Sequence, residues 1–385
     1  MARTLKSDKV LFLLTLLLVG AGLVMVYSAS AAQAQASSRY QTQYYFLYRQ
    51  AAFAAIGLLG LLVAMRMDYR QLRRPTVIWP LLAVSVVLLV AVFLFRPVNG
   101  ARRWIPLGVM SFQPSEFAKL TAVIFTAAVL ERRMHRIREL TYALLPVGLM
   151  ALVLVGLIVL ETDLGTSAVI VIAIVAMVFA AGLQYRPFLV TSSALFASAA
   201  AFIALVPYAR RRWDTFLDPL SDPLGDGYQV IQSWLAIGSG GLFGRGLMNG
   251  IQKLYYVPEP HTDFIYAVVA EEFGLVGTTL MLLCFAMMAW RGLRVALLAP
   301  DRFGSLLALG LTTVIAIQGL INISVVTGLV PNKGIPLPLV SSGGSSLVMS
   351  MVAMGILLNI SQHTTQSAGA VVPGRTGWTL GEQEA

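Results

Sequence analysis

The sequence predicts an all-α polytopic integral membrane protein of about ten transmembrane helices, and three observations carry that prediction. Of its 385 residues 57% are hydrophobic and only 12% charged, about half the ~25% charge of a soluble domain. Apolar runs of roughly 17–25 residues, the length that crosses a hydrocarbon core as a helix, recur along the whole chain. None alternates with the period of two that a transmembrane barrel needs, and lipid allows the backbone no third solution.

The runs lie near 10–30, 46–65, 76–95, 115–131, 141–161, 165–182, 188–207, 264–290, 304–328 and 341–361. The net charge of +10 sets their orientation. With the N-terminus inside, Arg3, Lys6, Lys9, Arg66, Arg70, Arg73, Arg74, Arg132, Arg133, Arg136 and Arg138 fall on the cytoplasmic side. Arg186, Arg291, Arg294, Arg302 and Arg375 join them, and the outer connectors are poorer in Lys and Arg. This distribution excludes a nucleic-acid patch and predicts that both termini are cytoplasmic.

Near the N-terminus, Ala32-Gln33-Ala34 imitates a secretory cleavage site. The length of the apolar run before it, and the spans after it, favour an uncleaved first helix. The single cysteine, Cys284, excludes an intrachain disulfide and a Cys-based metal site. One membrane domain is expected over residues 1–361, without internal repeats, followed by a short disordered cytoplasmic tail, 362–385.

Two outer segments exceed what a connector needs. Arg96–Ser115 contains Arg103-Trp104-Ile105-Pro106. The second, about 208–263, is long enough to imply function. Within it, Gly227–Trp234 has helical periodicity and is expected on the membrane surface, and the glycines from Gly238 to Gly246 supply tight turns.

The candidate residues follow from the cost of charge at a membrane boundary. Asp263, in Glu259-Pro260-His261-Thr262-Asp263, enters an apolar helix. The residues alone leave an N-cap, by Thr262 or Asp263, and a poorly solvated general base even, and the two do not exclude each other. Glu116 and Lys119, three apart on one helical face, form an ion pair or one wall of a groove. Glu161 and Asp163 interrupt two spans, as hairpin caps or as a cation or sugar site. Lys333 lies between prolines, and Ser341 to Ser346 open the last span, as an anion site at a helix N-terminus or as close helix packing. Arg245, Lys253 and His261 lie near Asp263 in the chain.

Together these motifs resemble the SEDS family (shape, elongation, division and sporulation), in the family's order and from the first span to the last. They are Arg103-Trp-Ile-Pro-Leu-Gly108, Gln113-Pro-Ser-Glu-Phe-Ala-Lys119, Glu161-Thr-Asp-Leu-Gly-Thr166, Gly227-Tyr-Gln229, Ala236 to Gly244, Gln252-Lys253, Pro258 to Phe264, Pro336-Leu-Pro338 and Ser342 to Ser346. The resemblance implies a ten-helix fold in the bacterial plasma (inner) membrane. It also implies a glycosyltransferase that polymerises lipid II outside that membrane, releasing undecaprenyl pyrophosphate, with Asp263 as the essential acid. Glu116 and Lys119 match the family's intramembrane charge pair. The expected partners are the nascent glycan strand, a class B penicillin-binding protein transpeptidase and other membrane proteins of the division machinery. Pro331-Asn-Lys-Gly334 points to the division branch rather than the elongation branch. No cofactor is fixed by the sequence; a divalent cation, Mg²⁺ or Mn²⁺, would be compatible with a pyrophosphate leaving group. The expected substrate-contacting residues are Glu116, Lys119, Glu161, Asp163, Arg245, Lys253, His261, Lys333, Ser341 and Ser345.

Four positions depart from the pattern: Thr162 replaces proline, Ser342 a common tyrosine, Met248-Asn-Gly250 a small Gly-x-Ser run, and Pro260 precedes His261. Two rival readings are a lipid II flippase, with Glu116 and Lys119 along its path, and an inactive scaffold. The long outer loop opposite short basic inner loops, without inverted halves, weighs against the flippase.

Overall fold

In the computed structural model, the described residues are 7–36, 42–97, 101–134 apart from 109, 140–225 apart from 184, and 227–369 apart from 255 and 257. The expected arginines 3, 136, 138 and 375, with Lys6 and most of the tail, lie outside them. Each of the ten expected runs holds a helix: α1 (Lys9–Ala36), α2 (Tyr45–Arg66), α3 (Pro75–Ala91), α4 (Pro114–Arg133), α5 (Leu140–Leu160), α6 (Leu164–Ala180), α7 (Tyr185–Leu205), α10 (Ile265–Leu298), α11 (Arg302–Val326) and α12 (Gly344–Gly369). By length and composition, six are able to cross a membrane alone: α1, α2, α3 continued to Leu94, α10, α11 and α12 up to Thr364. α5 and α6 contribute shorter apolar stretches, and α7 bends by 93° into α8 (Pro207–Leu217). Proline at the start of α8 explains the break, because it suits a first turn but cannot continue a preceding helix.

The bundle is knit by polar contacts that lipid makes worthwhile. Ser85 donates to Thr121 (2.9 Å) between α3 and α4, and Ser233 of α9 (Tyr228–Gly240) donates to the Val326 carbonyl (2.6 Å). α12 lies along α2, while α7 packs chiefly on α8 and leaves most of its described surface exposed. The first outer segment forms a hairpin, β1 (Ile105–Leu107) against β2 (Met110–Phe112), with Ile105 opposite Phe112. Sequence periodicity gives no warning of strands this short.

The segment 208–263 is built into the bundle. α9 packs on α10 along one face and leaves Trp234 and Leu235 exposed on another. α10 is broken at Gly274, where φ is +64° and ψ −158°. The break strands backbone groups of a membrane helix, and the glycine-rich turn satisfies them. Arg245 N and Gly246 N donate to the carbonyls of Glu271 (3.0 Å) and Glu272 (2.9 Å), and Leu275 N and Val276 N donate to the carbonyls of Gly241 (2.9 Å) and Leu242 (3.1 Å). Contact is so close that a Cβ on Gly274 would lie 2.4 Å from the amide nitrogen of Gly244.

Gly274→Val therefore adds both left-handed strain and a backbone clash. Its expected cost exceeds about 2 kcal/mol, read as a lower melting temperature and reduced monodisperse yield in detergent.

Candidate active site

Asp263 stands at the end of the long outer segment, just before α10. The helix begins at Ile265 with Phe264 as its N-cap, and no side chain makes a cap bond. Asp263 is therefore not a cap: its carboxylate has no hydrogen-bond partner among the described residues. It is half-buried. Backbone around it is fixed instead. Asn322 of α11 donates to the carbonyls of both Asp263 and Ile335 (2.7 Å each). Ser341 Oγ donates to the Thr262 carbonyl (2.5 Å), and Ser342 N to the His261 carbonyl (2.9 Å). The carboxylate abuts Gly334, where a Cβ would meet Asp263 Oδ2 at 2.7 Å. Burial pushes the Asp263 pKa up to about 7, with Glu259 and Asp163 raising it further and Arg103 and Arg212 opposing.

The other carboxylates are spent differently. Asp163 caps α6, accepting from Thr166 N (3.2 Å) and Thr166 Oγ1 (2.8 Å), and ties that helix to α4 through Gln113 (3.2 Å) and Ser115 (3.3 Å). Glu161 is buried with neither carboxyl oxygen bonded among the described residues. Burial, followed by the charge of Asp163, pushes its pKa up to about 9 against the pull of Arg103, which keeps it neutral at pH 7. Between them Thr162 has φ +66°, a conformation proline cannot take. This departure from the motif gives the turn its own geometry, held by Arg103 donating to the Thr162 carbonyl (2.6 Å).

His261 is buried against Phe46, ring centroids 4.4 Å apart, with Nε2 3.7 Å from Glu259. Burial, then Arg49, lowers its pKa to about 4, so it is neutral. Lys333 is partly buried and makes no hydrogen bond or ion pair among the described residues. Burial and the neighbouring Arg212 bring its pKa down to about 8, while Asp163 acts to raise it. Arg103, Arg212 and Lys333 thus converge electrostatically with Asp163, and both arginines also act on Asp263.

Several expected site residues are engaged elsewhere. Lys253 is buried in an ion pair with Glu272 (2.5 Å) and donates to Ser28 (2.9 Å), which itself donates to Glu272 (2.6 Å). Arg245 is exposed beside the α10 break, its Nε 3.4 Å from the Ser239 carbonyl. These two cations were expected near Asp263 from chain proximity; the fold puts Arg103 and Arg212 there, from distant segments. Glu116 and Lys119 pair at 2.8 Å, and Lys119 also bonds Gln318, which donates to the Pro336 carbonyl (3.0 Å). The pair therefore supports the loop that carries Lys333. The hydroxyls of Ser341 and Ser345 are used internally, Ser345 accepting from Gln113 N (3.0 Å), and α12 begins only at Gly344. Close packing is the reading this geometry favours for the serine-glycine stretch. Glu271 and Glu272, fully buried in α10, were not among the expected site residues. Their signal was two adjacent acids inside an apolar run.

Among the described residues no group of three or more His, Cys, Asp or Glu side chains is placed to hold a metal. Fold and site together define a polytopic helical membrane protein with an uncapped acid beside cations that, among the described residues, form no ion pair. The chain belongs to the family of FtsW, RodA and SpoVE, described as cell cycle proteins, which matches residues 8–366. It is 41% identical over 362 residues to the stage V sporulation protein E of Bacillus subtilis, covering 93% of this chain and 97% of that one. It is 42% identical over 362 residues to a probable peptidoglycan glycosyltransferase FtsW of Trichlorobacter lovleyi, covering 93% and 94%. Among solved structures, a chain from a peptidoglycan synthase complex that coordinates polymerization and crosslinking superposes with a TM-score of 0.76 at 33% identity, covering 94% of this chain and 99% of that one. Thermus thermophilus RodA, a rod shape determining protein, does so with 0.67 at 31%, covering 93% and 97%.

The Lys253–Glu272 pair yields a stability prediction. Lys253→Met strands a buried carboxylate and is expected to cost about 3–5 kcal/mol, whereas the double variant with Glu272→Met recovers most of it. Thermal melts of the three proteins in one detergent check this.

Proposed function

We propose that the protein is a peptidoglycan glycosyltransferase that polymerises lipid II into glycan strands at the outer face of the bacterial plasma membrane. The observation that carries this reading is Asp263, which is uncapped, half-buried and raised to a pKa of about 7. A base is most effective when its pKa lies near the working pH. Asp263 takes the proton from the 4-hydroxyl of the acceptor sugar. That oxygen bonds to the anomeric carbon of the growing strand as the bond to undecaprenyl pyrophosphate breaks, and configuration inverts.

The departing pyrophosphate gains negative charge, and preorganised cations stabilise it where they need not move to do so. Lys333, Arg103 and Arg212 are the residues for that role; Lys333 has no competing partner among the described residues. A divalent cation, where one takes part, would use phosphate oxygens for much of its coordination, with one or two carboxylates. Glu116 and Lys119 brace the Lys333 loop through Gln318, and His261 shapes the floor as a neutral ring. The standoff of α7 suits a groove open sideways to lipid for the polyprenyl tail. Relatives named FtsW support a role in division, and the bias of Lys and Arg toward one set of loops supports cytoplasmic termini of one membrane domain. The synthase complex among the structural neighbours supports a penicillin-binding protein transpeptidase as partner.

Asp263→Asn is expected to reduce lipid II polymerisation by about a hundredfold or more while leaving the melting temperature near that of the parent; unchanged turnover would remove Asp263 from the role of base. The pH–rate profile has a defined sign. The base works ionised, so the rate rises with pH and levels off above about 7. Glu259 raises the Asp263 pKa, so Glu259→Gln moves this limb to lower pH, by a modest amount because Glu259 is exposed. A limb unmoved in Glu259→Gln and still present in Asp263→Asn would assign the titration to another group.

A further inference from the structure

In the same outer region as Asp263, which is not among its walls, α8, α9 and the turn at 328–332 line a partly open cleft of about 290 Å³. Its walls are of two kinds. The aromatic residues Phe216, Tyr228 and Trp234 line it together with the hydrogen-bonding residues Arg212, Gln229 and Asn332. Both sets are held in place. Gly328 has φ +75°, and a Cβ there would meet Trp234 Nε1 at 2.5 Å, so the turn lies flat on the indole. Asn332 Nδ2 donates to Gln229 Oε1 (2.7 Å), and Arg212 Nη1 donates to the Asn332 carbonyl (2.7 Å) with its guanidinium 4.6 Å from the centre of the Tyr208 ring. Asn332 immediately precedes Lys333, and the Arg212 charge acts on both Lys333 and Asp263.

We propose that this cavity is a saccharide subsite, holding one sugar of the growing glycan strand beyond the bond being made; this rests on the polymerase reading above. One face of a pyranose is lined with C–H bonds of slight positive charge, which suit the negative face of an aromatic ring. Its rim of hydroxyl and acetamido groups needs donors and acceptors at fixed positions, which Gln229, Asn332 and Arg212 supply. The volume equals that of about ten waters at ~30 Å³ each, the scale of one substituted ring. A polyprenyl chain is a poor occupant, because it would cut off from water the donors and acceptors of Arg212, Gln229 and Asn332 that are not spent on one another. A bare pyrophosphate is equally poor against three aromatic side chains. Holding the strand here keeps its anomeric end near Lys333 between additions, so the subsite serves processive elongation.

The test uses the full-length protein in detergent and a peptide-free tetrasaccharide prepared from peptidoglycan glycan, with binding followed by saturation-transfer NMR and calorimetry. The unaltered protein is expected to bind it, and Gln229→Ala or Phe216→Ala, each with an unchanged melting temperature, to weaken binding by about tenfold or more. Polymerisation by the same variants is expected to yield shorter strands. Equal binding by parent and variants, no binding by the parent, or displacement of the sugar by the free stem peptide would each overturn the subsite. Binding is measured without turnover, so the two readings fail separately: an unaltered protein that does not polymerise lipid II would sink the polymerase reading, whereas a polymerising protein that does not bind the tetrasaccharide would sink the subsite alone.

Discussion

Much of this structure depends on how the backbone groups freed at Gly274 are paired. A membrane helix cannot leave N–H and C=O groups bare, because each costs several kcal/mol in hydrocarbon. Here four such groups are matched by Gly241, Leu242, Arg245 and Gly246. The outer segment is thereby fastened to the span along its backbone. The remaining stretch, 275–298, is about 36 Å long at ~1.5 Å per residue, enough to cross the bilayer by itself. The part before the break, 265–273, is free to carry α9 and the loop. Glu271 strengthens the fastening by accepting from Ile251 N (2.7 Å) and Gln252 N (3.1 Å), and Glu272 does so through Lys253.

This anchoring explains how an acid can stand uncapped. Asp263 is immobilised through its own carbonyl and those of its neighbours, by Asn322, Ser341 and Ser342, so its side chain need not bond to anything to stay in place. A carboxylate that had capped α10 would have been stabilised in its charged form and made a weaker base. Burial of this carboxylate, without a hydrogen-bond partner among the described residues, raises its pKa.

The helices and the position of the acid were legible in the sequence, because helix length and hydropathy are local properties and charge is rare in this chain. The role proposed for Asp263 rests on its whole motif set rather than on the residue alone. What stayed hidden depends on contacts between distant segments. Arg245 and Lys253 are closer to Asp263 in sequence than Arg103 or Arg212, yet Lys253 folds onto Glu272. The arginines arrive through the β1–β2 segment and α8. Likewise Gly274 is one of many glycines in the chain, and its left-handed φ follows from a loop some thirty residues earlier.

Environment, more than residue type, separates the site's titratable groups into roles. Asp163 accepts several hydrogen bonds and cannot be the base without releasing α6 from α4. Glu161 is neutral and sealed, so it has no charge to use and no path to a substrate. His261, neutral near pH 7, could in principle accept a proton. However, it is buried against Phe46, and the imidazolium so formed would be disfavoured by burial and by Arg49. Asp263 combines partial access, a charge that can be present at pH 7 and freedom from structural bonds. The cation proposed to complement it follows from the same reasoning: Lys253 is committed to Glu272 and Lys119 to Glu116, whereas Lys333 has no hydrogen-bond or ion-pair partner among the described residues.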